Sequence, residues 1–137
     1  MPTIETSIWM ALKARVSTLV LSPVLPVAWP NESFTPPADG YLRVSLVPNT
    51  ANRLFIGSAA AHRRLGLLQI SVFAKQNKDA TIATEIAGLV AAHFPADLKM
   101  TSGGVTVRVT KAPDVAQALL DDPHWHVPVT IAYEVLK

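Results

Sequence analysis

Four segments of the chain alternate strictly between apolar and polar side chains, which is the pattern of strands that bury one face. They span residues 41–47, 64–73, 105–109 and 124–135. Their apolar positions predict an inner face of the sheet, and their polar positions predict an outer face in contact with solvent. One buried and one solvated face are typical of antiparallel sheets. We therefore predict a mostly antiparallel sheet of four strands or more.

Two other segments place apolar side chains every three or four residues, the spacing of amphipathic helices. The first begins after Thr3, a suitable N-cap, and extends to about residue 21. Its expected core stripe is Ile4, Ile8, Trp9, Leu12, Val16, Leu19 and Val20. The second extends over about residues 81–94, with Asp79 as its N-cap, and its expected core stripe is Ile82, Ile86, Leu89 and Val90. Close packing against a neighbour is the expected reason for Gly88 in its interior. Two helices packed on one face of an antiparallel sheet predict an α+β fold.

Residues 22–37 contain five of the eleven prolines, which excludes a helix or a central strand. The segment is nonetheless too apolar for a free linker. We predict a stiff, ordered strap that lies across the domain, with Trp29 and Phe34 as its anchors.

A long connection, residues 49–62, separates two predicted strands that we expect to pair. Connections of this length in a compact domain are usually functional or disordered. Its centre, Leu54–Phe55–Ile56, is apolar and follows Arg53. We predict a protruding hairpin or flexible arm that becomes ordered on contact with another subunit.

Composition restricts the classes of function. A length of 137 residues fits one domain over residues 1–137. The absence of cysteine excludes disulfides, thiolate nucleophiles and cysteine-ligated metals. Half of the residues are hydrophobic and only 16% are charged. A domain so poor in charge often covers part of its surface with partners.

Charge and hydropathy give expectations about nucleic acids and membranes. The formal charge is +2, and Arg63–Arg64 beside His62 form the only basic cluster, so we expect no direct binding of nucleic acid. No apolar run approaches the roughly 20 residues of a membrane span, and no secretory signal is apparent. We therefore expect a soluble protein made in the cytoplasm.

The candidate chemical sites fail on ligand number or spacing. His124 and His126 point the same way on a strand, with Asp121–Asp122 just upstream, but a metal ion needs further ligands in fixed geometry. Ser102–Gly103–Gly104 lacks the lysine and the following helix of a phosphate loop and reads as a turn. We predict no catalytic, cofactor-binding or metal-binding residues, and hence no enzyme.

Several segments, distributed over nearly the whole chain, carry a family resemblance. They are Val27-Ala28-Trp29-Pro30-Asn31, Phe34, Pro36–Pro37, Gly40-Tyr41-Leu42-Arg43, Gly57, Arg64-Leu65-Gly66-Leu67-Leu68-Gln69-Ile70-Ser71-Val72, the alanine-rich helix ending at Phe94, and Trp125 with Pro128-Val129-Thr130-Ile131-Ala132-Tyr133. Together they resemble the tail-terminator-like family of long-tailed bacteriophages. The sequence departs from the family at residues 74–79, where a Gly/Pro turn is frequent.

The resemblance implies a structural virion protein at the head-proximal end of the phage tail, made in the cytoplasm of the bacterial host. Such a protein assembles as a ring, typically of six copies, on the finished tail tube. It stops polymerisation of the tube and provides the surface that joins the tail to the head. The implied partners are further copies of the chain, the tail tube protein and a head–tail connector protein. DNA would pass through the ring, and no cofactor is implied.

This role suggests which side chains contact other subunits. We expect Arg53, Phe55, Arg63 and Arg64, in or beside the long connection, to contact neighbouring subunits or the tube. Arg43 and Arg108, on the outer face, are expected to do the same or to line the ring. The residues alone leave ordinary solvated charge as an alternative for these arginines.

Two other functions also remain open. One is a different ring component of the neck or of head completion. The other, from a different class, is a small ligand-binding α+β domain with a concave apolar pocket.

Overall fold

The computed structural model describes residues 3–21, 25–37, 40–53, 62–75, 80–121 and 124–137. Within these ranges the chain forms helices and strands in the order α1 (Ile4–Ser17), β1 (Val27–Ala28), β2 (Gly40–Arg53), β3 (His62–Lys75), α2 (Ala80–Ala92), β4 (Lys99–Ser102), β5 (Val105–Val109), β6 (Asp114–Val115), β7 (Leu119–Asp121) and β8 (His124–Leu136). All of these strands belong to one sheet, so the predicted α+β class is confirmed.

Strand β8 organises the sheet because it pairs along both of its edges. One edge pairs with β3 over the whole length of both strands, from Arg63↔Leu136 to Lys75↔His124. The other edge pairs in turn with β7, β6 and β5. All described pairings are antiparallel except that of β1 with β2, which is parallel. The sheet exceeds the four predicted strands because β1, β4, β6 and β7 are too short to show an alternation.

The inner face of the sheet and both helices bury one hydrophobic cluster. Its strand residues form rows across β2, β3 and β8, namely Leu42–Val72–Val127, Val44–Ile70–Val129 and Leu46–Leu68–Ile131. Its helical residues are Ile8, Ala11, Leu12 and Val16 from α1 and Ala83, Ile86, Ala87 and Val90 from α2. The inner face predicted from the alternation is therefore the face that the helices cover.

Helix α1 begins as predicted and ends earlier. The side chain of Thr3 accepts a hydrogen bond from the backbone N–H of Thr6, as an N-cap does. The helix ends at Ser17, and Val20 is 85% exposed instead of belonging to the core stripe. The hydroxyl of Thr18 donates to the Arg15 carbonyl at 2.6 Å, a local hydrogen bond that competes with continuation of the helix.

The predicted core stripe of α2 is partly wrong. Ile82 and Leu89 are 44% and 41% exposed, whereas Ala83 and Ala87 are buried. The small alanine side chains let the helix backbone lie close to the sheet, and this rotates the larger residues outward. The helix ends at Ala92, before the predicted Phe94, which is nevertheless fully buried. The predicted cap at residue 79 lies outside the described residues.

Gly88 does not mark close packing, which corrects the expectation from sequence. A Cβ atom at this exposed helical position would meet nothing within 4 Å. Gly88→Ala is therefore expected to raise the free energy of unfolding by about 0.5–1 kcal/mol, because alanine loses less backbone entropy in a helix. Urea unfolding measures the effect. Gly66→Ala is the contrasting variant, since its Cβ would overlap the ring of Tyr133, and it should lower stability by about 1–3 kcal/mol.

The proline-rich strap wraps around the β1–β2 edge of the sheet and packs on both of its sides. On the helix side, Trp29 meets Trp9 edge-on with ring centroids 6.1 Å apart. On the outer side, Phe34 packs against Tyr41 at 5.1 Å. Val27–Ala28, just before Trp29 in the sequence, form the edge strand β1. The predicted anchoring by Trp29 and Phe34 is confirmed.

The outer face is not uniformly solvated, contrary to the expectation from alternation. At the strap end, Tyr41 and His126 stack on opposite sides of Phe73, with centroid distances of 4.5 and 4.3 Å. His124 lies edge-on to Tyr41 and donates from Nε2 to the Pro37 carbonyl at 2.9 Å. Tyr41, Phe73 and His124 are buried. The strap thus closes a second, aromatic cluster on this end of the face.

The long connection is shorter than predicted because the flanking strands extend into it. Ala51, Asn52 and Arg53 pair with residues 64, 63 and 62 beyond a β-bulge that follows Pro48. Both hairpin strands therefore continue to the end of β8, where His62 and Lys137 exchange two backbone hydrogen bonds. Residues 54–61, with the predicted apolar centre, lie outside the described residues.

Candidate interaction surface

The part of the outer face away from the strap carries exposed apolar side chains. Val47, Leu67 and Leu136 are 46%, 37% and 59% exposed, and Val47 and Leu67 are directly paired. Half-buried Leu65 and Ala132 lie beside them. We call these five residues the outer-face patch. Contiguous exposed apolar side chains are typical of interaction sites on otherwise soluble domains.

An ion-pair cluster borders the outer-face patch. Glu134, whose side chain is only 13% exposed, accepts hydrogen bonds from Arg63 at 2.9 Å and from Arg108 at 3.1 Å. Arg108 also donates to Asp97 at 2.6 Å. Two predicted contact residues, Arg63 and Arg108, therefore meet at one carboxylate. Strand pairing brings them together. Arg108 lies opposite Glu134 on one side, and on the other side Arg63 lies two residues along β3 from Leu65, the residue opposite Glu134.

The two arginines lower the pKa of Glu134. The hydrogen bond from Arg108 is the main cause and the bond from Arg63 adds to it, while burial acts in the opposite direction. Hydrogen bonds to the charged form favour ionisation of a carboxyl group. Glu134 is therefore ionised in the folded protein at neutral pH, and both arginines are held in place by it.

Acid should remove the stabilisation by this cluster. Because the folded pKa of Glu134 lies below its ordinary value of 4.5, its contribution to stability is full above that value. The contribution is lost as the pH falls through the folded pKa. Glu134→Gln is expected to lower stability at neutral pH and to flatten the acid limb of the stability profile, measured by urea unfolding at a series of pH values. Glu85→Gln, at an exposed position on α2, is the control and should leave the profile as in the unsubstituted chain.

Arg43 is the most accessible of the predicted contact arginines whose side chains are described. It is exposed on β2, and its guanidinium lies 5.8 Å from the centroid of the Tyr41 ring. No carboxylate in the described residues lies within 4 Å of it. Its charge is therefore available to a partner.

Arg64 lies on the opposite face of the sheet from Arg63. It lines a cavity of about 190 Å³ together with Glu5, Ile8, Pro48, Ala51, Leu65 and Tyr133. Its Nη1 is 3.5 Å from Glu5, and its buried Nε has no hydrogen-bond partner in the described part of the chain. Strand alternation separates the two neighbouring arginines, so they do not form one basic patch. For Arg53 only the backbone pairing with His62 is described, and Phe55 lies outside the described residues.

Three histidines, His93, His124 and His126, have packing roles. His124 and His126 share a face as predicted, but both contact aromatic rings of the second cluster. Across the described ranges, no group of three or more His, Asp or Glu side chains is arranged to hold a metal ion. His93 donates from Nε2 to the Arg15 carbonyl at 2.9 Å, and Arg15 donates to the His93 carbonyl at 2.8 Å. The pKa of His93 is lowered, chiefly by burial. His93 thus joins the C-terminal ends of the two helices.

Sequence reasoning missed Glu134 and the outer-face patch. A signal for the patch was present in the sequence. In the alternating strands, positions expected to be polar are occupied by Leu65, Leu67 and Val47.

None of the helices in the described residues is long and apolar enough to cross a membrane.

Comparison with known proteins identifies the family of this fold. The family model described as phage tail terminator protein matches residues 7–133. The chain belongs to the phage tail terminator family. The resemblance inferred from the strap and the strand motifs is thus confirmed.

A solved structure supports the fold of this tail terminator. Its chain is 35% identical, the match covers 93% of this chain and 92% of that one, and the TM-score is 0.75. No curated protein matches the sequence. Tail terminators are structural proteins of the phage tail, and they act among other tail components in the virion.

Proposed function

We propose that this tail terminator caps the head-proximal end of the tail tube as a ring of six copies, stops polymerisation of the tube and provides the surface that joins the tail to the head. A tube built by head-to-tail contacts always presents an unsatisfied growing face. A terminator must match that face on one side and present a different surface on the other, while lateral contacts close the ring. Such a role needs contact surfaces and no catalytic residues.

The exposed outer-face patch is the observation that supports this proposal most directly. It places Val47 and Leu67 side by side, with Arg63 and Arg108 at the border of the patch and the accessible Arg43 farther along β2. Apolar surface bordered by charge is suited to a protein contact, in which the apolar part supplies affinity and the charge supplies orientation. We assign Arg43, Arg63 and Arg108 to subunit contacts on this face.

The end of the β2–β3 hairpin is the second contact region in the proposal. Arg53 and His62 pair at the last described position of the hairpin, and Phe55 follows two residues later in the sequence. We assign Arg53 and Phe55 to contact with the tube or a neighbouring subunit. Arg64 contributes from the helix side, through the cavity that it shares with Glu5.

The cavity beside Arg64 does not favour the ligand-binding alternative. Pockets for small molecules usually measure roughly 300–1,000 Å³, whereas the cavity beside Arg64 measures about 190 Å³. The alternative of another neck or head-completion component shares the ring and differs only in its partner. A test with tubes therefore separates it from the proposed role.

Electron micrographs of polymerising tail tube protein, with and without this chain, test the function. We expect tubes to stop growing when the chain is added and to carry extra density at one end. Unchanged growth of the tubes, together with binding of the chain to head–tail connector protein, would assign it to the neck. Unchanged growth without such binding would refute both roles.

A further inference from the structure

Helix α2 presents an exposed row of apolar and acidic side chains on the helix side of the sheet. Ile82, Glu85 and Leu89 follow one another along the helix, and all three are exposed. Glu85 is the only charged residue of α2. No basic group within the described ranges lies within 4 Å of its carboxylate. The row is therefore an apolar strip that carries one unpaired negative charge.

The outer face presents a matching combination on the opposite side of the sheet. Along β2, Arg43, Ser45 and Val47 point outward, and Val47 lies beside Leu67 of β3. Arg43 carries an unpaired positive charge at one end of this line, and the exposed apolar pair forms the other end. The two surfaces have complementary charge and are both partly apolar.

The spacing of the two surfaces differs, but the length of the arginine side chain covers the difference. Arg43 and Val47 are about 13 Å apart along the strand, and Glu85 and Leu89 are about 6 Å apart along the helix axis. Suppose that α2 of one subunit lies along β2 of another, with Leu89 in contact with Val47. Glu85 is then about 7 Å from the Arg43 backbone, measured along the strand. The extended side chain of an arginine spans such a gap.

We propose that in the assembled ring the exposed row of α2 in one subunit packs on the outer face of the next subunit, with Leu89 against Val47 and Leu67 and with Glu85 paired to Arg43. This proposal rests on the ring assembly proposed above. The two surfaces lie on opposite sides of each subunit, so each copy uses both of them and the contact is head-to-tail, as a closed ring requires. A symmetric contact would instead bring Arg43 against Arg43, or Glu85 against Glu85.

The absence of cysteine from the chain provides a direct test. Two forms of the protein, one with Leu67→Cys and a size tag and one with Leu89→Cys, are mixed and treated with a short bis-maleimide. The treatment is applied both to the free protein and to capped tubes. We expect cross-linked dimers of tagged with untagged chains in the mixture and few from either form alone. Ala14→Cys, on the exposed side of α1, replaces Leu89→Cys in the control and should give no mixed dimer.

Charge exchange provides the second readout. In chains that carry the cysteines, Arg43→Glu alone and Glu85→Arg alone should each lower the yield of mixed dimers about tenfold, because like charges then face each other. Both substitutions together in every chain should restore the yield. Lys111→Glu, whose side chain pairs with Asp114 of β6, three strands away from β2, should leave it unchanged.

The outcomes separate this contact from the proposed function. The contact would be overturned if either form alone gave dimers at the yield of the mixture. It would also be overturned if mixed dimers were found neither on the free protein nor on capped tubes. If Arg43→Glu and Glu85→Arg do not restore each other, the assigned ion pair is wrong. Normal capping without mixed dimers would refute the contact alone, whereas mixed dimers with uncapped tubes would refute only the capping function.

Discussion

Leu67→Asp is expected to leave the fold intact and to abolish termination of the tail tube. Leu67 is partly exposed in the free chain, so its replacement costs the monomer only about 1 kcal/mol, mainly through strand propensity. In the proposed contact the same aspartate would be buried without a partner. An uncompensated buried charge costs about 3–5 kcal/mol, and this cost recurs at every contact around the ring.

Tail length in electron micrographs measures the effect, and circular dichroism checks the fold. Overlong tubes without end density are the expected result. Val20→Asp is a matched control, because Val20 is the most exposed apolar side chain described and lies after α1, away from the outer face. Tubes of normal length with folded Leu67→Asp protein would show that the outer-face patch is not a contact surface.

Phe73→Ala is expected to cause the largest loss of stability outside the main core. Phe73 is buried on the outer face, between the rings of Tyr41 and His126. Truncation of a buried phenylalanine costs about 3–5 kcal/mol, a large part of the roughly 5–15 kcal/mol that stabilise a domain. The melting temperature should fall by about 10–20 °C.

The same substitution should weaken the attachment of the strap to the sheet, because Phe34 packs against Tyr41 and Tyr41 stacks on Phe73. A glutamate-specific protease measures this at Glu32, an exposed strap residue. Faster cleavage is expected for Phe73→Ala than for Phe73→Leu, which keeps apolar volume and should lose only about 1–2 kcal/mol. Equal cleavage of both variants and of the unsubstituted chain would show that the aromatic cluster does not hold the strap.

Features that depend on neighbouring residues could be predicted from the sequence. The four long strands were recognised because alternation is a property of consecutive residues, and β5 has the predicted bounds. The cap at Thr3 and the anchored strap follow from local chemistry in the same way. The family resemblance can also be recognised from the sequence, since its motifs lie in the strap and in single strands.

The sequence by itself therefore determined the fold class, the long strands and the family of this protein, whereas the tertiary structure decided its surfaces. Arg63 and Glu134 are 71 residues apart in sequence, and only the register between β3 and β8 brings the guanidinium of Arg63 to the carboxylate of Glu134. The rotation of α2 was likewise set by contact of its alanines with the sheet, which left Ile82 and Leu89 exposed. Local pattern fixes which side chains alternate, but contacts between distant segments fix which of them remain available to a partner.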